Sequence, residues 1–230
     1  MPLYVTVEDG EVILDRCNKI PESIYNVFKD LDYELTMLHL RWQVYLMLFG
    51  KDKETVDLLN EFAPLPFRIF QDSLLDSVIL SLSWLTDPRK SRSGYEYLSF
   101  QQLISAVDVG LYGKLKKKLK SRLRDVKKSC HNIREERHTR IAHKTAKLEY
   151  NDTKGVSRKN IHIALQESRV FLNIVPIYFE DTPKAYEFQF DAERECQMLL
   201  HYIDDLGKFY KEFGHNYLYM KEFNDKYGKH

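Results

Sequence analysis

The chain has 230 residues, 43% of them apolar and 30% charged, which is enough for a sizeable single core and is the composition of an ordinary globular protein. No apolar run nears the ~18 residues that a membrane span needs, and no basic-then-apolar leader opens the chain, so a cytoplasmic protein with no membrane association is expected. The net charge of +1 hides a strong asymmetry: residues 114–147 hold 14 Lys or Arg against 3 Asp or Glu, a formal +11, and the rest holds 21 basic and 31 acidic residues, a formal −10. A segment so basic attracts polyanions, of which nucleic acid phosphates are the first candidates.

In chain order, Tyr4 to Val7, the turn signal Asp9-Gly10 and Val12 to Leu14 predict a short β-hairpin within an arm over 1–20. Two strands alone are marginal in water, so this arm must pack on the body or on a second chain. Pro21 opens the first long helix, whose apolar seam runs through Ile24, Phe28, Leu31, Leu35, Leu38, Trp42, Tyr45 and Phe49 until Gly50 ends it. A short helix over 53–62 follows, and Pro64 and Pro66 break the chain before the most apolar helix, 67–86. Asp72 and Asp76 share a face of that helix, and pairing of one of them with an arginine of the basic segment is the expected use of these carboxylates.

Residues 87–94, rich in Pro, Ser and Gly, predict a solvated loop that adds three positive charges. Ser99 is placed as the N-cap of a helix over 100–107, and Gly110 and Gly113 separate it from the basic helix. After a turn at 151–155, Ser157 caps a helix over 158–175 that Pro176 stops. The last amphipathic helix spans 191–213, with its seam at Ala192, Cys196, Leu199, Ile203, Leu206, Tyr210 and Phe213, and an aromatic tail occupies 215–230. The reading is an all-α bundle of about five to seven helices over 21–214. Cys17, Cys130 and Cys196 are odd in number and far apart, and two lie on helical seams, so they read as reduced core residues. No Cys, His, Asp or Glu spacing suggests a metal site, and no cofactor motif is found, so neither a metal nor a cofactor is expected.

The basic segment itself has a helical seam at Leu119, Leu123, Val126, Cys130 and Ile133. The next seam position is Arg137, where a guanidinium needs an anionic or hydrogen-bonding partner. Six residues later comes His143, within the run Arg137-His138-Thr139-Arg140-Ile141-Ala142-His143. Arginine, a polar residue, four more residues and histidine on a basic helix resemble the motif of the HEPN superfamily of helical domains, many of which are metal-independent RNases. The blocks 39–50, 56–64 and 67–88 extend the resemblance to the abortive-infection U-type (AbiU2-like) branch, over roughly 30–214.

The resemblance implies a HEPN-like bundle and a metal-independent endoribonuclease of prokaryotic defence or toxin–antitoxin systems. His143 would be the general acid/base, Arg137 the phosphate-stabilising group and His138 the polar residue after the arginine. These roles suit the side chains, since imidazole titrates near neutrality and a guanidinium fork matches two phosphate oxygens. Arg134, Arg140 and Lys144 are the candidate substrate contacts. The alternative for these arginines is a solvated basic face, and the alternative function is a non-catalytic HEPN module that binds RNA or scaffolds proteins. On a straight α-helix six residues separate Arg137 from His143 by ~120°, so either the helix bends or ends near Ile141, or two chains each supply half a site. The family's usual arrangement is the second, which implies a homodimer with RNA as substrate. An antitoxin or nucleotidyltransferase partner is a further expectation, although Thr145 stands where related toxins carry a modifiable tyrosine.

Overall fold

The computed structural model describes residues 6–8, 11–13, 20–91, 93–142, 156–179, 182–188 and 191–213. The chain forms two compact units, Met1–His39 with Asp76–Gln189 and Leu40–Leu75 with Phe190–His230. Among the described residues there are eight α-helices, so the all-α class stands with one helix more than the upper bound of the sequence reading. The extra element comes from the basic segment, which is not one helix.

The larger unit begins with the expected hairpin: β1 (Thr6–Glu8) pairs antiparallel with β2 (Glu11–Ile13), Thr6 opposite Ile13 and Glu8 opposite Glu11. It takes α1 (Glu22–Tyr45) as far as His39 and the end of α3 (Pro64–Leu85). Then come α4 (Phe100–Ala106), α5 (Val109–Ser129), α6 (His131–Glu136), a π-helical turn over Arg137–Ala142, and α7 (Arg158–Tyr178). Its spine is α5 against α7. Leu115, Leu119, Leu123 and Val126 of α5 are buried, as are Ile161, Ala164, Leu165, Phe171 and Leu172 of α7. Each of the larger side chains among them, all but Ala164, contributes about 1.5–3 kcal/mol by leaving water. Arg122 Nη2 meets Glu167 at 2.8 Å across the two helices, and Phe100 of α4 lies 4.4 Å from Phe171 between ring centroids.

The basic segment departs from its predicted outline in three places. Asp108 caps α5 by accepting from Leu111 N at 2.8 Å, so Gly110 and Gly113 fall inside the helix and do not precede it. Tyr112 leaves helical geometry (φ −127, ψ 38), and its ring meets Phe179 edge-on at 5.4 Å. At the far end Ser129 Oγ donates back to Val126 O at 2.8 Å, and Cys130 (φ −86, ψ 1) separates α5 from α6. A serine bonding its own helix backbone competes with continuation of the helix. Pro176 also differs from expectation: it does not stop α7 but lies within its last turn, two residues before Tyr178.

A buried polar cluster fastens residues 184–186 to α1 and α7. Lys184 Nζ is 2.8 Å from Asp32 Oδ2 and donates to Thr36 Oγ1 at 2.8 Å, and Tyr186 OH donates to Asp32 Oδ1 at 2.7 Å. Asn173 bonds the backbone of Lys184 with both amide atoms, each at 2.9 Å. His39 stacks on Tyr186 at 5.5 Å, is 4% exposed, and among the described residues has no partner for Nε2. Burial pushes its pKa down to about 4, against the opposing pull of Glu187.

The smaller unit contains α1 from Leu40, a π-helical turn over Leu46–Gly50, α2 (Lys53–Phe62), α3 as far as Leu75, and α8 (Ala192–Phe213). Trp42 stacks on Tyr45 at 5.2 Å, which continues the aromatic stripe of α1. Asp52 caps α2 through Thr55 N at 2.8 Å. Pro64 opens α3, so the two prolines sit in its first turn and only Ala63 separates it from α2. Along α8 the contact line is narrower than the seam predicts: Ala192, Cys196 and Ile203 are buried, but Leu199 and Leu206 are 43% and 44% exposed. Among the described residues no helix is long and apolar enough to cross a membrane.

Candidate functional site

Asp87 is the first element of the site. It follows α3 by one residue beyond Thr86, and its carboxylate is mostly buried, with 16% of the side chain exposed. Arg134 of α6 meets Asp87 Oδ1 at 2.8 Å and also donates to Ser83 O at 2.9 Å and to Thr86 Oγ1 at 2.8 Å. Its guanidinium therefore caps the carbonyl end of α3, where a cation is favoured by the helix dipole. Arg137 Nη1 reaches Asp87 Oδ2 at 3.4 Å. One carboxylate thus serves two guanidiniums, which leaves one net positive charge at the pair. Arg137 is 35% exposed on its side chain, so that charge reaches solvent.

The backbone here changes character. The α-helix stops at Glu136, and Arg137 begins the π-helical turn that carries His138, Thr139, Arg140 and Ile141. Wider i→i+5 turns advance less than an α-helix per residue and recur at functional sites. The straight α-helix on which the ~120° figure rests ends at Glu136. His138 is exposed. The side chain of Arg140 and the whole of His143 and Lys144 lie outside the described residues, as does the tail over 215–230.

Among the described residues the carboxylate that Arg134 and Arg137 meet is Asp87. Asp72 bonds Arg68 of its own helix at 3.1 Å and is more than half exposed. The following loop also keeps its charges to itself: Arg89 and Lys90 meet Glu96 at 2.8 Å and 3.4 Å, while Gly94, at φ 90, turns the chain between them. One carboxylate thereby offsets one of the two charges on Arg89 and Lys90. Asp87 was missed because it begins a loop-like run, yet an acid directly after the apolar helix was the available signal.

Among the described residues no group of three or more His, Cys, Asp or Glu could hold a metal ion. An open groove of about 960 Å³ lies alongside α5, α6 and α7 and is lined in part by Lys127, Lys128, His131, Asn132 and Asn160.

A family model of the HEPN class, described as AbiU2, matches residues 22–167. The chain belongs to the AbiU2 family of HEPN domains. The AbiU2 match starts at the first turn of α1 and ends within α7, so it spans Asp87, α5, α6 and the Arg137–His143 run but stops short of α8, earlier than the sequence resemblance extended. No curated protein and no solved structure matches the chain.

Proposed function

We propose that this AbiU2-family protein is a metal-independent endoribonuclease of prokaryotic defence or toxin–antitoxin systems, acting in the cytoplasm as a homodimer. His143 takes the 2′-OH proton and returns one to the leaving 5′ oxygen, and Arg137 stabilises the charge that develops on the phosphorane. His138 supports the pair, and Arg140 and Lys144 with Arg134 hold the RNA backbone electrostatically. The products are a 2′,3′-cyclic phosphate, or its hydrolysis product, and a 5′-OH. The observation that carries this reading is Arg137 at the start of a π-helical turn, partly open to solvent and sharing one carboxylate with Arg134. An arginine fully neutralised by its own acid could not serve a phosphate, whereas a shared carboxylate leaves charge to spare.

The test is incubation with RNA in EDTA, alongside His143→Ala and Arg137→Ala. Cleavage that survives EDTA and disappears in both variants supports the enzyme, and association measured by analytical ultracentrifugation at micromolar concentration tests the dimer. A second reading, a non-catalytic RNA-binding or scaffolding module, is favoured by the three protein partners of Arg134, which suit a structural clamp. Salt-sensitive RNA binding without cleavage would select it. An antitoxin or nucleotidyltransferase is the proposed partner of either form.

A further inference from the structure

Most of the charge that made the segment conspicuous lies away from the arginines of the motif. Arg134 and Arg137 share Asp87, and Arg122 is held by Asp125 at 3.3 Å and Glu167 at 2.8 Å. Lys114, Lys117, Lys118, Lys120, Arg124, Lys127 and Lys128 of α5 are all exposed and none is ion-paired among the described residues, and five of them, Lys117, Lys120, Arg124, Lys127 and Lys128, share one face. Their spacings of 3, 4 and 3 or 4 put them on one outward line, opposite the Leu119–Leu123–Val126 seam. At 1.5 Å per residue the line is about 16 Å long. It ends at the open groove, where Lys127 and Lys128 stand beside His131, Asn132 and Asn160.

Resting on the ribonuclease reading, we infer that this line is a backbone track: an RNA strand bound at Arg137 runs along α5 and lays successive phosphates on the five cations, with the groove receiving a nucleotide at the near end. The other polyanionic partners fit less well. A membrane-bound helix keeps apolar side chains at the boundary of its charged face, but here the apolar seam is sealed against α7. A protein interface needs aromatic or aliphatic anchors at its centre, and the line has only Ser121 and Asp125 among its cations. A phosphate backbone asks only for evenly spaced positive charge. The absence of aromatic side chains on the line further implies contact with phosphates without base stacking, and so little sequence preference.

The test uses the full chain carrying His143→Ala, so that binding is read independently of cleavage. Five Lys or Arg→Gln changes at 117, 120, 124, 127 and 128 are compared with the parent by fluorescence anisotropy, on a 20-nucleotide and a 4-nucleotide RNA over a salt series. The expected result is a fall of about 3 in the slope of log K against log salt for the long RNA, with the short RNA unchanged. Replacing the four lysines by Arg keeps the slope. Should the fivefold variant lose its helical circular dichroism, the pair 117/120 and the trio 124/127/128 made separately give about two fifths and three fifths of the change. An unaltered slope, an equal loss on both RNAs, or a greater loss on an acidic peptide or anionic vesicles than on RNA overturns the track. If cleavage fails in the unmodified protein and the slope still falls, the track stands and the nuclease does not.

Discussion

Arg134 Nη1 lies 2.8 Å from the Asp87 carboxylate and binds α6 to the end of α3. Removing the acid leaves two guanidiniums facing each other with no counter-charge between them. Asp87→Asn is expected to lower the unfolding free energy by about 1–3 kcal/mol, the lower part of the range applying because both arginines are about a third exposed. Urea denaturation of the variant and of Arg134→Ala, with the double variant closing a cycle, measures the coupling; fully additive losses would show that the pair is not a clamp.

Arg137→Lys keeps the charge but loses the planar fork. If Arg137 holds two phosphate oxygens in the transition state, the cleavage rate in EDTA drops about a hundredfold while thermal stability is little changed. A lysine variant that cleaves at the parent rate would reduce Arg137 to a general positive charge.

His39 gives a pH dependence to folding. Its folded pKa, about 4, lies below the unfolded value of 6.5, so between these pH values the unfolded chain binds a proton that the folded chain refuses. The contribution is fully present above pH 6.5 and is lost as pH falls toward 4, by up to about 3 kcal/mol. Urea midpoints measured from pH 7.5 to 4.5 should fall more steeply in the parent than in His39→Phe. Parallel curves would show that His39 titrates normally.

Cys130 is fully buried, and burial pushes its thiol up to about 12. A thiol-specific reagent at pH 8 should leave Cys130 unmodified in the native protein and modify it on addition of denaturant, as read by mass spectrometry of peptides. Rapid native labelling at Cys130 would mean that the α5–α6 junction opens readily.

The helices that carry long apolar seams were legible in the sequence because burial repeats along them: Leu31, Leu35 and Leu38 of α1, and Leu119, Leu123 and Val126 of α5, are all buried where the spacing puts them. The break at Cys130 and the start of α5 at Asp108 were not, because each depends on a single side-chain-to-backbone bond that composition does not reveal. The family could be read because the blocks 39–50, 56–64 and 67–88 precede the run that opens at Arg137. The partner of that arginine could not, since Asp87 is 50 residues away and nothing local marks that an acid after α3 faces α6. The exposed leucines of α8 were missed for the converse reason: periodicity reports which side is apolar, not how much of it finds a neighbour.

The two sides of α5 answer to different demands. Substitutions on the inner side are felt by the whole unit, while the outer one can gain or lose lysines without disturbing a single packed atom. Drift at 117, 120, 124, 127 and 128 therefore changes the charge of the outer face while the scaffold stays constant.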